Sequence, residues 1–122
     1  MAVKHFAEQE GRAIMGGINI HCPPFVGRDK SGTPFEAVLV EISEGAGSEV
    51  ESVVRGIDEA LETASDHILI APADAAKLIN PLRVWIERNP NDPRPLFDEC
   101  AEDLFEACRT AVSNGRPVAL VW

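Results

Sequence analysis

The chain has 122 residues, 45% hydrophobic and 25% charged, which is ordinary for a globular protein and enough for one domain with one core. Twenty acids against eleven bases give a net charge of −9, which repels a phosphate backbone and disfavours nucleic-acid binding. No run approaches the roughly 18 apolar residues of a membrane span, and three cysteines without C-x-x-C spacing argue against both a disulfide framework and a zinc site.

Residues 1 to 12 are weakly patterned: Val3, His5 and Ala7, or Ala2, Lys4 and Phe6, alternate as a short strand would. Acids enter early, with no long apolar segment, so a cytoplasmic location is expected. Ala13 to Cys22 reads as a strand, with Gly16-Gly17 marking a bulge or a close approach of another backbone. Pro23-Pro24 ends it, since neither residue can donate to a ladder. Phe25 to Pro34 reads as a loop rich in turn residues. Phe35 to Ile42 is expected as a second strand, antiparallel to the first.

After the connector Ser43 to Gly47, Ser48 and Glu51 have the spacing of a capping box. Val50, Val53, Val54, Ile57, Leu61 and Ala64 follow at helical intervals. Glu49, Glu51, Asp58, Glu59 and Glu62 take the wet side. Gly56 in the helix interior costs about 1 kcal/mol against alanine, which predicts close packing against another element. His67 to Ala71 is a short buried strand stopped at Pro72, and Ala73 to Ile79 fits a two-turn helix. Leu82 to Arg88 is open between strand and helix. Asn80 as cap and Pro81 at the first helical position favour helix. Asn89 to Pro95 is an exposed, proline-stiffened loop.

Leu96, Phe97, Cys100, Ala101, Leu104, Phe105, Cys108, Ala111 and Val112 then form a helical stripe. Asp98, Glu99, Glu102, Asp103, Glu106 and Arg109 lie opposite, and Asn114-Gly115 forms the C-cap. The apolar run Pro117 to Trp122 reads as a strand covered on both faces, in the middle of the core. The order β-β-α-β-(short α)-α-β predicts an α+β or α/β two-layer sandwich. Its sheet is mixed, of about four strands, with two main helices, in a single domain over residues 1–122.

One segment carries a chemical motif. His21-Cys22-Pro-Pro-Phe-Val-Gly-Arg28 has the form H-C-x5-R and resembles the signature loop of cysteine-dependent phosphatases. The resemblance implies Cys22 as thiolate nucleophile, Arg28 forked onto the phosphate, and loop N–H groups cradling the remaining oxygens. It spans eight residues and departs from the pattern where Pro23 and Pro24 bring no N–H. Asp29 also sets a negative charge beside the arginine. His5, His21 and His67 lack ligand spacing, so neither a metal nor a cofactor is expected.

The charge pattern carries a different reading. Between Glu36 and Asp66 nine acids (36, 41, 44, 49, 51, 58, 59, 62, 66) stand against Arg55 alone. The candidate partner-binding residues are Glu51, Asp58, Glu59 and Glu62 on one helix and Glu99, Glu102, Asp103 and Glu106 on the other. The leading expectation is a small acidic binding domain without catalysis. It would cap a protein with a basic surface in the manner of an inhibitor or immunity-type protein, with electrostatic steering speeding the encounter. An enzyme built on Cys22 and Arg28 is the second reading. An assembly domain that forms a homodimer through Trp122, Trp85 and Phe25 is the third.

Overall fold

A computed structural model describes residues 18–28, 32–94 and 96–122. In chain order the elements are β1 (Asn19–Cys22), β2 (Phe25–Val26), α1 (Gly32–Ser43), α2 (Ser48–Thr63), β3 (His67–Ile70), α3 (Pro72–Arg88), α4 (Phe97–Asn114) and β4 (Val118–Val121). Among the described residues the fold is α+β, with four helices and one four-stranded sheet of order β2-β1-β4-β3. Every strand pairing is antiparallel, so the sheet is not the mixed one expected. The strand suggested before residue 8 and the Gly16-Gly17 bulge lie outside the described residues.

The sheet has one dry face. Ile20, Leu120 and Ile68 stand in register across three strands and are buried, as are Cys22, Val118 and Ile70. Strand residues alternate between faces, and on the other face Asn19, His21, Ala119 and Val121 are half-buried while Leu69 is exposed. β4 thus takes the central place expected of it. It is fully covered on one face only, which corrects the two-faced burial read from its apolar run.

α2 and α4 follow their stripes. Val50, Val53, Val54, Ile57 and Leu61 of α2 are buried, as are Cys100, Ala101, Leu104, Ala107, Cys108 and Ala111 of α4. Val112, assigned to that stripe, is exposed, and Asp103, assigned to the wet side, is buried. Gly115 caps α4 with φ 63°, the left-handed conformation expected there. The capping box does not form. Gly47 at φ 103° holds the N-cap position of α2, and no side chain bonds back to the first turn.

Two further expectations are corrected. Phe35 to Ile42 is helical, within α1. Phe35, Val38, Leu39 and Ile42 are all buried, at the i, i+3, i+4, i+7 spacing of one helix face. The hairpin partner of β1 is instead the two-residue β2, joined through Pro23-Pro24, whose peptide bond is cis. The region from Pro72 to Arg88 is one continuous helix, α3, with Pro72 in its first turn and Pro81 inside it. Its buried stripe, Ala75, Leu78, Leu82 and Trp85, runs past Pro81 without a change of phase. Among the described residues no helix is long and apolar enough to cross a membrane.

Candidate functional site

The Cys22–Arg28 segment folds as a hairpin that divides its two chemical residues. Cys22 pairs with Phe25 in the ladder and its side chain is fully buried. Its thiol donates to the Arg116 carbonyl at 3.8 Å, and burial pushes its pKa up. The phosphatase resemblance implied a thiol with a lowered pKa. Arg28 is turned onto α4. Its backbone N–H donates to Asp103 Oδ2 at 2.8 Å, and Nη2 and Nε donate to Asp103 Oδ1 at 2.9 and 3.2 Å. Nη2 also donates to Glu102 at 3.3 Å, and Glu99 lies 3.9 Å from Nε. The bonds to Asp103 above all raise the arginine's pKa. Gly27 makes this seat fit: its N–H donates to the Ile20 carbonyl at 2.8 Å, and a Cβ there would lie 2.6 Å from that oxygen.

The two acidic rows therefore differ in kind. On α4, Glu99, Glu102 and Asp103 surround Arg28, and Glu106 pairs with Arg109 at 3.3 Å. On α2, Glu49, Glu51 and Glu59 are exposed, and none takes part in an ion pair among the described residues. Asp58 and Glu62, on the same helix, each have an interaction within the chain. Of the other acids between 36 and 66, Glu36 is buried, Glu41 is held by Arg94, and Asp66 lies 2.7 Å from His67 Nδ1.

Arg94 ties the proline-stiffened loop to the helices. It donates to Glu41 Oε1 at 3.1 Å and to Asp92 Oδ2 at 2.7 Å, and it sits over the Phe97 ring. Trp85 Nε1 donates to the same Glu41 oxygen at 2.8 Å, so one carboxylate joins α1, α3 and the loop. The hydrogen bond from Arg94 is the chief reason that the pKa values of Glu41 and Asp92 fall, that of Asp92 to about 2. Of the aromatic trio expected to form a self-association patch, Trp85 is buried, and Phe25 and Trp122 are half-buried.

Two grooves flank α2. The larger, about 980 Å³, lies between α1 and α3, where Glu41 and Glu44 face Lys77 and Arg88. The smaller, about 520 Å³, runs between α2 and the outer edge of β3, lined by Ser52, Gly56 and Ala60 on the helix and Ile68 to Ile70 on the strand. The second groove was not read from the sequence. Its signal was there in Ser48, Ser52, Gly56 and Ala60, small residues four apart on one flank of an otherwise charged helix. Among the described residues no group of three or more potential ligands could hold a metal ion. Compared with known proteins, the chain matches no family, no curated protein and no solved structure.

Proposed function

We propose that the chain is a small acidic binding domain that docks a protein with a basic surface, with α2 as the docking helix. The observation that carries this reading is the contrast between the helices. Glu102, Asp103 and Glu106 of α4 are already bound to this chain's own arginines, whereas Glu49, Glu51 and Glu59 of α2 are exposed and outside the ion pairs among the described residues. Carboxylates so placed raise encounter rates with a cationic surface and make binding fall with salt. The first turn of α2 also holds Glu49 and Glu51 at the positive end of its dipole, so these charges do not strain the free helix.

The test compares two neutralised variants. Immobilised wild type, a Glu51→Gln/Glu59→Gln variant and a Glu102→Gln/Glu106→Gln variant are exposed to lysate at low salt, and captured partners are identified and measured individually. The expected result is a basic partner whose affinity drops about tenfold or more in the α2 variant, changes little in the α4 variant, and declines steeply with salt. Equal affinity across all three chains, or binding indifferent to salt, overturns the reading.

A further inference from the structure

We propose that the groove between α2 and the outer edge of β3 receives an extended, lysine- or arginine-bearing segment of the partner, which pairs with β3 as a fifth strand. The inference rests on the binding reading above and gives it a place and a geometry.

The edge is available. β3 pairs with β4, and no described strand lies beyond it. The Trp122 N–H donates to the Asp66 carbonyl at 2.9 Å, which fixes the phase of the ladder. Residues 66, 68 and 70 turn their backbone groups toward β4, so the N–H and C=O of His67 and Leu69 point outward. An exposed edge of this kind is a template for an added strand. Beside it stands a flank of α2 without bulk: Ser52, Gly56 and Ala60 line the groove.

Gly56 is the second, independent observation. It sits inside a sixteen-residue helix, where glycine costs about 1 kcal/mol against alanine. The close packing expected to explain it is not there: a Cβ at Gly56 would meet nothing within 4 Å. Among the described residues none packs where a Cβ would stand, and the space the glycine leaves opens onto the groove. An incoming backbone, about 4.8 Å from β3 in the sheet, would use that space.

Charge selects the occupant. Glu49 and Asp74 line the groove with Lys77 as its cation, Glu59 is exposed on the same helix, and Arg55 is the lone base between residues 36 and 66. A cationic segment is favoured there. A second copy of this chain is not, because joining β3 to β3 would bring two acidic α2 helices together at a net charge of −9 each. Strand pairing also asks for alternation: every second side chain turns to the helix side, which Ile68 and Ile70 share with Glu49 and Asp74, and the basic ones belong on that side, with the apolar ones beside Leu69 on the open face.

The test uses a capped peptide of alternating lysine and valine, and its twin with alternate backbone nitrogens methylated. Binding to wild type and to Gly56→Leu is measured by calorimetry at low salt, and exchange of the His67 and Leu69 amides is followed by NMR. Leucine is a good helix former, so Gly56→Leu should melt at or above the wild-type temperature while filling the groove. The expected result is binding that protects both amides, lost by about tenfold or more with the methylated twin and with Gly56→Leu. Equal binding in both cases overturns the groove but leaves the acidic-helix reading standing, since that reading is scored on Glu51 and Glu59. Absence of peptide binding overturns the groove as well. So does protection of the Leu69 amide in the monomer alone, or dimerisation that Gly56→Leu abolishes, because the edge would then already be covered.

Discussion

Replacing Asp103 by alanine tests what holds the β1–β2 hairpin onto the helical layer. The carboxylate is buried, at 5% exposure, and accepts the Arg28 backbone N–H at 2.8 Å. Orphaning such a partly buried donor costs about 1–3 kcal/mol. The guanidinium bonds at 2.9 and 3.2 Å add less, because the Arg28 side chain is half exposed and the pair is screened, about 0.5–1 kcal/mol. Glu102 remains within reach of the freed guanidinium. Alanine returns about 0.5 kcal/mol through its better helix propensity. The expected net loss is about 1–3.5 kcal/mol, read as a drop in the urea midpoint of about 0.5–2 M at an unchanged slope. Asp103→Asn keeps an oxygen for the backbone N–H and should lose about 1 kcal/mol. An alanine variant within about 0.5 kcal/mol of wild type refutes the reasoning. An asparagine variant as damaged as alanine would show that charge, and not the backbone seat, does the holding.

Two further outcomes follow from the same geometry. Glu41 and Asp92 have folded pKa values below their ordinary 4.5 and 3.8, that of Asp92 at about 2. Their contribution is therefore complete above about pH 5 and is lost as pH falls through the folded values. Urea midpoints taken from neutral pH down to about pH 2.5 should decline, and Arg94→Gln should flatten that decline; an unchanged pH profile in the variant would count against the clasp. All three cysteines are buried, and burial raises the Cys22 pKa and pushes that of Cys108 up to about 12. Alkylation of the folded protein should accordingly be slow at Cys22, Cys100 and Cys108 alike and indifferent to phosphate or vanadate. Rapid, phosphate-protected modification of Cys22 would restore the catalytic reading of residues 21–28.

What could be read from the sequence tracks how far local pattern and tertiary burial agree. α2 and α4 carry long stripes with charges opposite, and both helices were found within a residue or two. Phe35 to Ile42 is ambiguous in sequence: its β-branched and aromatic residues suit a strand, while Phe35, Val38, Leu39 and Ile42 also fit one helix face. Burial against α4 and its neighbours decided between them. Asn80 and Pro81 read as the start of a new helix because proline suits the first helical position, yet the stripe of α3 continues through Pro81. At the candidate site, the acids of α2 and α4 look alike in sequence. What separates them is Arg28, seventy-five positions from Asp103, and such a pairing has no local signature. The cost of Gly56 is legible in the sequence, but the close packing it predicts is absent among the described residues, because only coordinates show whether the space beside it is filled.

The strand order also sets a schedule for synthesis. β4 is the last element described, and it lies between β1 and β3, which do not pair with each other. A chain emerging from the ribosome can form the β1–β2 hairpin and its helices early, but the sheet cannot join until the residues up to Val121 are free. Until then Ile20, Cys22, Ile68 and Ile70 have no strand between them, and at about 5–20 residues per second the nascent chain spends several seconds with that apolar surface open. Closure of the sheet thus waits for synthesis to pass Val121, and that interval is when these residues are most exposed to aggregation and to chaperones.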